Sequence, residues 1–267
     1  MNLRRINGVL LLCNFVLLLV LLWLWRAFFV DVYRETYRYD VPAEVVATTT
    51  VAMPSPVVSS TSPVVSQQPV QASRESVQPS RVNWSVPFMV QAPHADWSLP
   101  YQEACEEASA LMASAYVRGE PALWSPEQAD LEIQKLVAWQ QRTFGYYEDT
   151  SVAEVERILH EYFDIQNTRV IEDSTPRMLR EELMLGNIIL MPAYGKELPN
   201  PYFRNGGPLY HMLVIKGYTE DGFITNDPGT RRGQDFFYTD EALLNANHDW
   251  NGGDVEQGAK RMIVVAR

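Results

Sequence analysis

The stretch LYHMLVIKGYTEDGFITND, residues 209–227, decides how the C-terminal part of the chain folds. Its two apolar runs flank the turn-forming pair Asp221-Gly222, a pattern typical of a β-hairpin. His211 and Asp227 lie sixteen residues apart, one on each arm. Because the turn brings the arms together, the imidazole and the carboxylate are expected to form a hydrogen bond. A purely structural histidine is the alternative interpretation.

A second informative residue is Cys105, since the other cysteine, Cys13, lies within an apolar N-terminal run. The segment QEACEEASALM, residues 102–112, predicts a helix that begins at Cys105 and buries one face. A helix N-terminus and a nearby imidazolium both lower the pKa of a thiol and favour the nucleophilic thiolate. We therefore expect a reactive thiol in an exposed first helical turn; a buried, inert cysteine is the alternative.

Helices come first along the domain and antiparallel strands come later, which predicts the α+β class. The helices end at recognisable signals, such as Gly119 after the Cys105 helix and Ser125-Pro126 at the start of the next one. Helices are predicted at residues 104–118, 125–144, 152–163 and 176–185, and strands at 85–91, 168–171, 188–192, 209–218, 222–226, 234–238 and 261–266.

The first 82 residues differ from the rest. Residues 8–30 begin with GVLLLCNFVLLLVLLWLW and are long enough to cross a bilayer core of about 30 Å. The run ends in Trp-Leu-Trp-Arg and not in a small-residue cleavage site, which favours an uncleaved anchor over a signal peptide. We predict a cytoplasmic tail (residues 1–7), a transmembrane anchor (8–30), a flexible Pro/Ser/Thr/Val-rich linker (31–82) and a folded domain (83–267) outside the cytoplasm, at the cell membrane.

Charge narrows the choice of partners. The formal net charge is −11, and no basic run interleaves with aromatic residues in the domain. Phosphate contacts require clustered Lys and Arg, so nucleic acid is not an expected partner. His94, His160 and His248 lie far apart along the chain, and no metal site is expected from them.

Four segments are informative when taken together: VPFMVQAP at 86–93, CEEAS at 105–109, His211 with a following Gly-Tyr, and NDPGT at 226–230. Their order and surroundings resemble the bacteriocin-processing (double-glycine leader) peptidase-like family of papain-like cysteine peptidases. The resemblance implies a papain-like fold, with the cysteine helix packed on an antiparallel sheet that carries His and Asp. It also implies cleavage of a peptide or protein substrate through a thioester, with Cys105, His211 and Asp227 as a triad and no cofactor.

The resemblance further implies a glutamine before the cysteine as an oxyanion donor. Gln91 follows the first predicted strand but lies fourteen residues before Cys105, whereas Gln102 lies only three before it. We favour Gln91, with residues 94–100 as an inserted loop. Two rivals remain at this stage: a cell-wall amidase or transpeptidase on the same fold, and a non-catalytic peptide-binding domain.

Overall fold

The computed structural model describes residues 79–120 and 124–267. The predicted tail, anchor and most of the linker, residues 1–78, lie outside the described residues. The helices are α1 Cys105–Arg118, α2 Pro126–Thr143, α3 Val152–Arg157, α4 Pro176–Met184 and α5 Asp240–Ala246, with a π-helical turn at Ile158–Tyr162 that continues α3. The strands are β1 Val82–Asn83, β2 Thr168–Glu172, β3 Ile188–Tyr194, β4 Tyr210–Tyr218, β5 Gly222–Asn226, β6 Phe236–Thr239 and β7 Arg261–Val265.

One antiparallel sheet organises these elements in the order β2-β7-β3-β4-β5-β6, with β1 paired to the end of β4. β4 is buried along its whole length, because helices cover both faces of the sheet. Met212 and Val214 face a core shared with α1, while Leu213 and Ile215 face a second core shared with α4 and α5. The α+β class predicted from the sequence is confirmed.

Helix α1 lies in the centre of the first core. Every residue from Cys105 to Tyr116 is buried, including two glutamates in the first turn. Ser109 Oγ donates to the Met212 carbonyl of β4 at 3.2 Å, which fixes the helix against the strand. Gly119 ends the helix with φ of +67°, a conformation that favours glycine. The prediction of a helix with a single buried face was therefore wrong, because α2 covers the side that the sheet does not.

The predicted strand at residues 85–91 was also wrong, because these residues form no strand and β1 already ends at Asn83. Val82 and Asn83 pair with Tyr218 and Gly217, whereas β3 pairs with the same edge of β4 from Ile215 back to Tyr210. The residues after Asn83 therefore have no free edge of β4 to pair with. The carbonyls of residues 86 and 87 instead accept hydrogen bonds from the Asn226 side chain at 3.1 and 3.4 Å.

The remaining predicted helices and strands are present with ends shifted by up to two residues, and α5 was not predicted. Ser125 caps α2 as expected, with Pro126 as the first helical residue and a capping box to Gln128. Within residues 79–120 and 124–267, every helix is too short or too polar to cross a membrane.

Leu183 tests the second core. It is fully buried, whereas Leu185, at the end of the same helix, is 76% exposed. We expect Leu183→Ala to lower the free energy of unfolding by about 2–5 kcal/mol, because it leaves a cavity between α4 and the sheet. Leu185→Ala should change it by less than about 0.5 kcal/mol. Urea denaturation of both variants measures the difference, and equal effects would contradict the assigned packing of α4.

Candidate active site

The hairpin of β4 and β5 brings His211 and Asp227 together. Val214 and Asn226 form the last pair of the two strands, so His211 and Asp227 both lie just beyond the paired part. Nε2 of His211 lies 2.8 Å from Oδ1 of Asp227, and both side chains are buried. When Nε2 carries the proton that this hydrogen bond requires, Nδ1 is left as the basic nitrogen.

The Asp227 carboxylate is surrounded by donors from three other parts of the chain. Oδ2 accepts from the Tyr238 hydroxyl at 2.6 Å and from Asn200 Nδ2 at 3.0 Å. Oδ1 accepts from the Gly229 backbone N–H at 2.9 Å in addition to His211. Burial alone would raise the pKa of Asp227, but the His211 charge and these hydrogen bonds hold it below its ordinary value. The carboxylate is therefore an ionised, rigid support for the imidazole.

Two neighbours confine the His211 ring. Phe203 packs edge-on against it, with ring centroids 5.3 Å apart. A Cβ at position 229 would lie 2.9 Å from His211 Cε1, so Gly229 permits the close approach of its loop to the ring. This enclosure restricts the imidazole to one orientation.

Cys105 is the first residue of α1 and is only 5% exposed. Its Sγ donates to Oε2 of Glu106 at 2.9 Å. The Met212 backbone, directly after His211, also forms a hydrogen bond with the sulfur. The fold therefore places the thiol beside the strand that carries the histidine, at the end of that strand where His211 lies.

The thiol differs from the expected exposed and acidified cysteine. Burial raises the pKa of Cys105 well above its ordinary value, and the adjacent charge of Glu106 raises it further. The Met212 hydrogen bond lowers it by less. The expectation of a depressed pKa was wrong, because the thiol itself is buried and the two glutamates that follow it are buried with it.

The two glutamines have different environments. Gln91 is buried, and its Nε2 donates to the carbonyls of Tyr101 and Gln102, each at 3.0 Å. Its Oε1 has no partner among the described side chains and backbone groups. Gln102 is exposed and donates from Nε2 to Glu103 at 2.7 Å. Gln91 thus holds the segment that leads into Cys105.

The three other histidines have separate partners. His94 lies 3.8 Å from Asp130, His160 contacts the Thr168 hydroxyl at 2.6 Å, and His248 contacts the Gly258 carbonyl at 2.9 Å. His160 is half-buried. Among residues 79–120 and 124–267, no three metal-ligating side chains converge.

Sequence reasoning missed several residues that shape the site. Tyr238 and Asn200 reach Asp227 from distant segments and carry no local signal. Tyr210 is buried beside the cysteine, with its hydroxyl donating to the Thr150 carbonyl at 3.0 Å. Trp250 packs on Tyr210, with the two ring centroids 5.5 Å apart.

Comparison with known proteins places the chain in a family. The sequence model of the Peptidase C39-like family matches residues 84–251, so the chain belongs to that family and carries a cysteine peptidase-like domain. A similar solved structure is that of a Bacillus anthracis protein provisionally described as a C39-like peptidase. It has a TM-score of 0.48 and 16% sequence identity, over 71% of this chain and 98% of that one. No curated protein matches the chain significantly.

Glu107 offers a test of the electrostatics of the site. It is fully buried, accepts a hydrogen bond from Gln140, and has an Oε2 without a partner among the described atoms. Burial raises its pKa to about 8. The unfolded chain, with a glutamate pKa of about 4.3, releases this proton earlier. Stability should therefore fall as pH rises from about 4.5 to about 8, since the folded state binds more protons in that window.

We expect Glu107→Gln to flatten this dependence, because the amide has no proton to lose and its carbonyl can still accept from Gln140. Urea denaturation at pH 4 and pH 8 checks the prediction. The two proteins should be closest in stability near pH 4, where the native carboxyl is neutral, and the variant should be the more stable at pH 8. If the free energy of unfolding of the variant depended on pH as steeply as that of the native protein, the raised pKa assigned to Glu107 would be wrong.

Proposed function

We propose that the protein is a membrane-anchored cysteine peptidase that cleaves peptide bonds through Cys105, His211 and Asp227. The observation that carries the proposal is the buried His211–Asp227 hydrogen bond of 2.8 Å at the end of β4 against which the cysteine helix packs. Membership of the Peptidase C39-like family supports a peptide or protein as the substrate. The chemistry needs no cofactor.

The proposed reaction begins with transfer of the Cys105 thiol proton to Nδ1 of His211, which is the free nitrogen because Nε2 binds Asp227. The thiolate attacks the substrate carbonyl carbon, and the negative charge passes to the carbonyl oxygen. The intermediate then expels the amine, which takes the proton from His211, and a thioester remains. Water, deprotonated by His211, hydrolyses the thioester and restores the thiol.

Two donors are proposed for the oxyanion. The first is the Cys105 backbone N–H, which has no intrahelical acceptor because it belongs to the first turn of α1. The second is the side-chain amide of Gln91. Both of its N–H groups donate to backbone carbonyls at 3.0 Å, so one of them must turn toward the substrate oxygen during the reaction.

The membrane anchor at residues 8–30 and the position of the domain outside the cytoplasm are also part of the proposal. Their support is the apolar run itself, which ends at an aromatic and basic boundary typical of an anchor. Anchoring would confine the peptidase to substrates that reach the membrane surface.

A specific observation favours a second candidate, a non-catalytic peptide-binding domain. The Cys105 thiol is buried and bonded to Glu106, and burial raises its pKa well above the usual range. A thiol in that state is a poor nucleophile. The two candidates are separated by whether Cys105 performs chemistry.

The test uses the full-length chain in detergent micelles with a peptide library, and it follows cleavage by mass spectrometry. We expect Cys105→Ala to lower hydrolysis at least about 10³-fold, because the thioester cannot form. His211→Ala should lower it about 10²–10⁴-fold through loss of the base. His160→Ala is the matched control, since that histidine bonds Thr168 outside the site.

Hydrolysis that persists in the Cys105→Ala variant would refute the cysteine mechanism. A library that is bound but left intact by the native protein would favour the binding domain. Cell-wall fragments are assayed in parallel, and cleavage confined to them would instead assign the amidase or transpeptidase chemistry to the same residues.

A further inference from the structure

Glu106 is a buried acidic residue in direct contact with the proposed nucleophile. It is 1% exposed, and its Oε2 accepts the Cys105 S–H hydrogen bond at 2.9 Å. Its Oε1 accepts from the Thr150 backbone N–H at 3.0 Å. Both carboxylate oxygens are therefore fixed, and the side chain cannot turn away from the sulfur without breaking the contact to the loop before α3.

The surroundings of Glu106 contain further acids and one phenol. Glu107 lies beside it on α1, Asp149 faces it from the loop after α2, and Tyr210 faces it from β4. Asp249 reaches the same region from the loop after α5, where its Oδ1 accepts from Val152 and Trp250 backbone N–H groups at 2.8 Å. His211 lies on β4, one residue before the Met212 backbone that contacts the sulfur.

A buried carboxylate is costly unless its charge is used or compensated. The partners of Glu106 are a backbone N–H and a thiol, and both are neutral groups. If packing alone were required beside the nucleophile, an apolar side chain or an amide would fill the same volume at lower cost. Burial, and then the neighbouring Glu107, raise the pKa of Glu106 well above its ordinary value, so this carboxyl holds a proton more tightly than an exposed glutamate does. It lies 2.9 Å from the sulfur, the one atom whose ionisation the peptidase mechanism needs.

We propose that Glu106 competes with His211 for the Cys105 proton and keeps the nucleophile as a latent, neutral thiol. The inference rests on the proposed role of Cys105 as nucleophile and adds a residue that governs its protonation. While the Glu106 carboxyl accepts the S–H hydrogen bond, the thiol proton points to its Oε2. When Glu106 is displaced, the thiol proton passes to Nδ1 of His211 and leaves a thiolate–imidazolium pair.

The segment around Thr150 is the element through which Glu106 could be displaced. Thr150 contributes its N–H to Glu106 and its carbonyl to the Tyr210 hydroxyl. A peptide that repositions this loop would release Oε1 and so free the carboxylate to leave the sulfur. Latency and activation then depend on one backbone contact, with no change in the His211–Asp227 pair.

The experiment compares Glu106→Gln with Glu107→Gln in the full-length chain, in a Cys13→Ser background so that Cys105 is the sole thiol. Iodoacetamide alkylation rates are measured from pH 5 to pH 10, with thiolate absorbance near 240 nm as a second readout. Glutamine at 106 can still accept from Thr150 through its carbonyl, which preserves the fold. Circular dichroism of both variants verifies this.

We expect Glu106→Gln to lower the alkylation midpoint by at least about one pH unit. Each unit should raise the rate at pH 7 about threefold, because tenfold more thiolate is offset by about threefold lower nucleophilicity. Glu107→Gln, whose carboxyl lacks contact with the sulfur, should shift the midpoint by less than half as much. Glu106→Asp keeps the charge but withdraws it by one methylene, and its midpoint should lie between those of the native protein and Glu106→Gln.

A Glu106→Gln midpoint that is unchanged, raised or matched by Glu107→Gln would overturn the inference. The failure of the proposed function has a different signature. Glu106→Gln could lower the midpoint while His211→Ala alters neither the midpoint nor hydrolysis. In that case the role of Glu106 at the thiol is supported and the proposed peptidase mechanism is rejected. If His211→Ala abolishes hydrolysis and Glu106→Gln leaves the midpoint unchanged, only the role of Glu106 is lost.

Discussion

The buried carboxylate of Asp227 is the constraint on which the geometry of the site depends. An ionised group with no solvent contact is stable only when its oxygens are fully hydrogen-bonded. Here the donors come from β4, β6, the loop before β4 and the turn after β5. Each of these segments must therefore hold its position for the others to be satisfied. The imidazole is aligned as one consequence of that shared requirement.

The cysteine side of the site is built on the opposite principle. Around Asp227 the donors outnumber the oxygens, whereas around Cys105 the acceptors are in excess and buried carboxyl and amide oxygens of Glu107 and Gln140 lack partners in the described region. The strand β4 separates these two environments and connects them through the consecutive residues His211 and Met212. The candidate site thus combines a well-supported imidazole with a thiol whose ionisation is electrostatically opposed, both at the same end of β4. This asymmetry would allow reactivity to be controlled from one side alone.

Much of the fold could be predicted from local patterns, and the failures have a common physical origin. The hairpin and the α2 start carry turn and capping residues, so short-range chemistry determines them. The strand expected at residues 85–91 failed because its extent depends on which partner occupies the edge of β4. The helix α5 follows Thr239, whose hydroxyl caps it by accepting from Ala242, and two acidic residues begin it. These helix start signals were present in the sequence, but Thr239 is also the last residue of β6, so they directly follow a strand.

The site, like the fold, could be predicted only where local patterns determine it. The contact between His211 and Asp227 was predictable because the two residues lie at matching positions on the two arms of a hairpin. The donors from Asn200 and Tyr238 are separated from Asp227 by 27 and 11 residues and follow no periodic rule. The burial of the glutamates after Cys105 could not be read from helical periodicity, because two consecutive charged residues normally indicate a solvent-facing turn. Only the packing of α2 over α1 places them inside.

The pairing of β1 determines where the chain enters the domain. Val82 lies opposite Tyr218, at the far end of the strand that begins beside His211. Seven residues separate Tyr218 from His211, which corresponds to about 23 Å of strand. The point of attachment and the site therefore occupy opposite ends of a single rigid strand. An N-terminal fusion, a fluorescent label or an immobilisation tag joined just before Val82 would leave access to the proposed catalytic residues unobstructed.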